Sequence, residues 1–144
     1  MPISIQVTRG LLTQNGERQI FPRIAAALLE AHGLENNAFM KKNVVGHLVT
    51  SDESASYVDG EPQSLAVIEV KVPGLAFREH GVQQKFVEAV TTIVDELKAN
   101  SHPKSRTFVN VTHAVDGAWG IAGVAYTNEA LGAAIAAGFA RPAD

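Results

Sequence analysis

Ile3, Ile5 and Val7 alternate with Ser4, Gln6 and Thr8, the period-two pattern of a strand with one buried face. Ile20, Ile24, Ala27, Leu28 and Ala31 then recur at helical spacing and form one apolar stripe. Thr13 suits the N-cap of that helix, and His32-Gly33 its stop, because glycine takes the left-handed conformation without cost. Pro22 lies inside the stretch, so a kink or a later helix start is expected there. After a polar link, NVVGHLVT (43–50) reads as a second strand.

The pattern then repeats. Ile68, Val70 and Val72 alternate as Ile3, Ile5 and Val7 do, about 65 positions later. Phe86, Val90, Ile93, Val94 and Leu97 restate the helical stripe, and TFVNVTHAV (107–115) the second strand. Each half closes on Val-Asp-Gly, at 58–60 and 115–117, and Asp-Gly is a turn signal. The reading is one domain of two β-α-β repeats, about 1–62 and 63–127, plus a C-terminal tail. Parallel strands joined through a helix cross over right-handedly. Two such units side by side predict an α+β fold, a four-stranded sheet with both helices on one face. The opposite face keeps apolar residues, as in LAVIEVKV, and a second subunit is the expected cover. The Gly- and Ala-rich tail predicts tight packing and a short helix from about Asn128, with packing preferred over membrane contact.

Composition narrows the function. With 144 residues, 46% of them hydrophobic and 19% charged, the chain suits a single globular domain. The net charge of −3 comes with no basic cluster, so nucleic acid is not an expected partner. There is no cysteine, which excludes disulfides, thiolate catalysis and Cys-ligated zinc. No leader pattern and no membrane-length apolar run is present, so a soluble, cytoplasmic protein is the default reading. The five histidines show no metal-ligand spacing, and neither a nucleophile elbow nor a phosphate loop is found. No cofactor or metal is therefore expected. His47 and His113 sit within strands and read as structural.

The start itself carries chemistry. Pro2 stands at the first position of a strand, where its missing N–H costs no ladder bond. Removal of Met1 would leave Pro2 with a free secondary amine, fixed at a strand end and able to serve as a base. Its bland alternative is a simple strand-start residue.

Taken together, the MPISIQV start, the duplicated β-α-β pattern, RIAAALLEAH (23–32) and VDGAWGIAG (115–123) resemble the tautomerase superfamily. That superfamily includes 4-oxalocrotonate tautomerase, malonate semialdehyde decarboxylase and cis-3-chloroacrylic acid dehalogenase. The resemblance implies catalysis by Pro2 and a carboxylate anchor at Arg78 in PGLAFREHGVQQK (73–85), with His80 as a second contact. It implies further substrate contacts at His32, Trp119 and Asn110. It also implies a homotrimer acting without cofactor on a small carboxylate. The sequence departs from the pattern at Leu11 and Leu12, where short relatives carry an arginine, and it shows no clear water-activating carboxylate. Three functions stay open: a tautomerase with Pro2 as base, a hydratase-type enzyme with Pro2 as acid, and a trimeric binding protein. Under bland readings Arg78 is an exposed pre-helix residue, His32 offsets a helix dipole, and Trp119 is packing.

Overall fold

The computed structural model describes residues 1–139. In chain order its elements are β1 (Pro2–Thr8), α1 (Gln14–Glu30), α2 (Ala38–Asn43), β2 (Val45–Ser51), β3 (Tyr57–Val58), β4 (Glu61–Pro62) and β5 (Ala66–Pro73). There follow α3 (His80–Leu97), β6 (Thr107–Ala114), β7 (Trp119–Ile121), β8 (Val124–Tyr126) and α4 (Asn128–Phe139). The main sheet has the order β2-β1-β5-β6. Each half supplies one parallel pair, β1 with β2 and β5 with β6, and the halves join through antiparallel β1 and β5. This is the duplicated β-α-β architecture that the repeat predicts.

The period-two pattern decides which face is buried. Ile3, Ile5 and Val7 stand opposite Val70, Ile68 and Ala66, and all six are buried. The stripes of α1 (Ile20, Ile24, Leu28) and α3 (Phe86, Val90, Val94) close over them in one core. Arg23 of α1 and Glu96 of α3 pair across the outer edge of the two helices. Helix α1 is continuous from Gln14 to Glu30 with Pro22 inside it, so the later start does not occur. Thr13 caps it by accepting from the Gly16 N–H at 2.8 Å. Pro22 itself is exposed, so the carbonyl it leaves unpaired can meet water, while the buried stripe on either side holds the axis.

Gly46 is where the first half closes most tightly. A Cβ added there would stand 2.0 Å from the Ile3 carbonyl oxygen and 2.6 Å from a Phe21 ring carbon. The ring therefore occupies the space a side chain would fill.

The polar link before β2 contains helix α2. Asn37 is fully buried at its start, where its Oδ1 accepts from the Met40 N–H and its Nδ2 donates to the Ile135 carbonyl of α4 at 2.7 Å. One amide thus satisfies two helices and ties the tail to the first repeat. Helix α4 begins at Asn128 as expected, with Thr127 accepting from the Ala130 N–H and Asp116 from the Asn128 N–H. The part of the tail beyond Phe139 lies outside the described residues. Asp59-Gly60 turns the β3/β4 hairpin with both residues at positive φ. The second Val-Asp-Gly forms a turn closed by Ala118 N–H on the Val115 carbonyl and leads into the β7/β8 hairpin.

On the other sheet face no helix of the described residues packs, and only the β7/β8 segment stands over one end of it. Register arranges it in three rows across the strands in the order β2-β1-β5-β6. Val49, Gln6, Val67 and Phe108 form the first, and His47, Ser4, Glu69 and Asn110 the second. The third is Val45, Pro2, Lys71 and Thr112: Val45 pairs with Pro2, Lys71 with Thr112, and the Ile3–Val70 pairing sets Pro2 opposite Lys71. Val45, Val49 and Phe108 are about half exposed, at 52, 46 and 46%. Apolar groups left open at this density on a sheet are the mark of an interface.

Candidate active site

The third row opens into a cavity of about 440 Å³. Pro2, Val45, Lys71 and Thr112 line its sheet side, Met1 and Asn43 one end, and Ala114, Ala118, Trp119, Gly120 and Ile121 the hairpin side. His113 also borders it, with Nε2–H donating to the Ala76 carbonyl at 2.9 Å. Trp119 is half-buried and packs on the core, which gives the cavity an aromatic wall. Of the residues read from sequence, Pro2 and Trp119 meet here. Asn110 stands in the neighbouring row.

Arg78, His80 and His32 do not line this cavity. Arg78 is exposed, and His80 is the first residue of α3. His32 has both ring nitrogens on backbone. Its Nδ1–H donates to the Leu28 carbonyl at 2.9 Å, and its Nε2 accepts from the Phe77 N–H at 3.2 Å. Its ring packs edge-on against Phe77, 4.4 Å between centroids, and Phe77 stacks on toward Phe86. Phe77 has φ 49°, a conformation a bulky residue keeps only when held. His32, together with Gln83 donating to the Phe77 carbonyl, holds it. His32 thus shapes the loop that carries Arg78.

Three polar lining residues have no part in the sequence reading of the site, Lys71, Thr112 and Asn43, and a fourth, His113, reads there as structural. Lys71 and Thr112 look like solvated positions of alternating strands. Only the pairing of strands from opposite halves brings them beside Pro2. The parity of Lys71 with Glu69 and Val67 is the one local signal.

Met1 is buried with 4% exposure, and its ammonium donates to the Asn43 carbonyl at the end of α2. Its own carbonyl accepts from the Val45 N–H at 3.2 Å. Burial lowers the amine from its ordinary 8.0 to about 6, because desolvation disfavours the charged form. While Met1 is present, the Pro2 nitrogen is an amide. At the far end of the sheet, His102 is also buried, with Nε2 on the Thr107 hydroxyl and no partner at Nδ1. Burial lowers its pKa from 6.5, and the positive charges of Arg106 and Lys98 add to this against the pull of Asp95.

Both shifts act on stability in the same direction. Unfolded, each group takes its proton at a higher pH than it does folded, so the unfolded state binds more protons in between. For the chain carrying Met1, stability is full above about 8 and declines as pH falls toward about 6. His102 extends the loss as pH falls below 6.5. Thermal melts between pH 5 and 9 are expected to show Tm rising with pH; a flat or falling Tm contradicts this.

Among the described residues, no helix is long and apolar enough to cross a membrane, and no group of three His, Asp or Glu side chains is placed to hold a metal. No family model and no curated protein matches the chain. Solved structures do match. A fused 4-OT, a symmetric trimer, is 16% identical over 92% of this chain and 99% of its own, with a TM-score of 0.72. FG41 malonate semialdehyde decarboxylase inhibited by 3-bromopropiolate is 19% identical over 84 and 88%, with a TM-score of 0.63. N1, a member of the cis-3-chloroacrylic acid dehalogenase family, is 14% identical over 90 and 87%, with a TM-score of 0.66. With its duplicated β-α-β units, crossed sheet and one-sided helices, the chain has the fold shared by these tautomerase-superfamily structures.

Proposed function

We propose that the chain is a cofactor-free tautomerase or isomerase in which Pro2, freed by loss of Met1, is the general base toward a small 2-oxo or enol carboxylic acid. The observation that carries the reading is the position of Pro2, exposed at the head of β1 and on the wall of an apolar-sided cavity. An amine at Pro2 would have Lys71 across the ladder, since the Ile3–Val70 pairing sets the two opposite each other. A positive charge held there favours the neutral, basic form of the amine. The base takes a proton from the enol hydroxyl or the carbon beside the carbonyl and returns it at the other end of the conjugated system. Trp119 and Ile121 keep water from the carbanionic intermediate. The neighbours that decarboxylate or dehalogenate suggest a second reaction class, with a protonated proline and an activated water. That class needs a carboxylate to activate the water, and among the described residues none lines this cavity.

The open sheet face, with Val45, Val49 and Phe108 half exposed, supports a homotrimer as the working form. Such an assembly would also decide whether Arg78 of one subunit reaches the cavity of another. The test is ketonisation of phenylenolpyruvate by protein that mass spectrometry shows to begin at Pro2. Turnover is expected; none from such protein would overturn the reading.

A further inference from the structure

We propose that Lys71, with Thr112 beside it, is the anion anchor of the Pro2 cavity, so that the ligand's carboxylate lies over β5 and β6 and its flat apolar body against Trp119. This rests on the reading of the cavity as the active site. It replaces Arg78 as the anchor within a subunit.

Four observations converge. Register puts Lys71 in the row of Pro2, one strand over, and Thr112 one strand further. All three line the same cavity, where Lys71 is the only lysine or arginine among the described residues. No carboxylate lies in that lining to neutralise it, and among the described residues Lys71 forms no ion pair. Val45, Ala114, Ala118, Trp119 and Ile121 make most of the remaining wall apolar, with Asn43 and His113 as its other polar side chains. An ammonium beside a hydroxyl offers several donors to one carboxylate, and low-polarity walls strengthen that attraction. The class of ligand that fits is a small monoanion with a planar, unsaturated body. A dianion would need a second cation, and among the described residues this lining holds no second lysine or arginine. Glu69, on the adjoining depression that also includes Pro2 and Lys71, would repel a second carboxylate placed on that side.

The test separates binding from turnover. Cinnamate is a planar monoanion with no enol, and cinnamamide is its neutral counterpart. Calorimetric titration of the Pro2-initiated protein is expected to show cinnamate binding, about tenfold weaker or worse in Lys71→Gln and within about threefold of the parent in Lys71→Arg. Cinnamamide binding should be the same in all three. Arg78→Gln is expected to leave cinnamate affinity within about threefold. Undiminished cinnamate binding in Lys71→Gln, loss in Arg78→Gln alone, or no cinnamate binding by the parent each overturns the proposal. Lys71-dependent binding without phenylenolpyruvate turnover would uphold the anion site and remove the isomerase reading instead.

Discussion

Pro2→Ala, in protein that begins at that residue, is expected to lose about a hundredfold or more of its kcat/KM for phenylenolpyruvate while keeping its fold and assembly. General-base catalysis contributes about 10² to 10⁴ in rate, and the substitution does not remove the amine outright. It removes the ring. Alanine presents a primary amine that rotates freely about N–Cα, whereas the proline ring ties the secondary amine to its own side chain and fixes its direction at the head of β1. The fold should tolerate the change. Pro2 is exposed, and its neighbours Ile3 and Ile5 supply the buried contacts. Protein that keeps Met1 makes the complementary comparison: the Pro2 nitrogen is then an amide, Met1 stands at one end of the cavity, and activity should be absent. Full activity in Pro2→Ala with an unchanged circular dichroism spectrum would remove Pro2 from the mechanism.

The largest effect on stability is expected from Gly46→Ala. The new Cβ would meet the Ile3 carbonyl oxygen at 2.0 Å and the Phe21 ring at 2.6 Å. The ring can turn away; the carbonyl belongs to the parallel ladder joining β1 to β2 and cannot. The strands must separate, at a cost of about 3 kcal/mol or more, the upper end of overpacking penalties. Because Val45 and Pro2 are paired one step along the same ladder, activity should fall along with stability. Chemical denaturation gives the loss directly, and a change below about 1 kcal/mol would mean that β2 is held less firmly than its register implies. A Gly46→Ala, Phe21→Ala double variant should recover little, since the backbone clash persists.

Most of the architecture is legible in the sequence because it rests on periodicity. Ile3, Ile5 and Val7 announce a strand, their echo at Ile68, Val70 and Val72 announces a second unit, and two helical stripes fix which face is covered. What escapes is either short or non-local. Helix α2 spans only Ala38–Asn43, too few residues for a stripe, and depends on Asn37 reaching Ile135 about a hundred positions away. The β7/β8 hairpin is built from three-residue strands. The site divides along the same line. Pro2 stands out by its place directly after Met1 at a strand start, and Trp119 as the single tryptophan, in the VDGAWGIAG segment. Lys71 is an ordinary lysine in an alternating strand, and it acquires meaning only when antiparallel pairing sets it opposite Pro2. His32 shows the reverse: it sits at the end of a helix in the sequence, but its far nitrogen is engaged by Phe77, 45 positions on.

The central claim is that Pro2 carries a neutral amine in the working protein. Titration of Pro2 by 15N NMR in the selectively labelled, Pro2-initiated chain tests it most directly. The account predicts a midpoint clearly below about 8, the ordinary value of an α-amine, moving up in Lys71→Gln as the neighbouring positive charge is lost. A midpoint well above 8 would leave the amine protonated at neutral pH, make Pro2 an acid, and contradict the account.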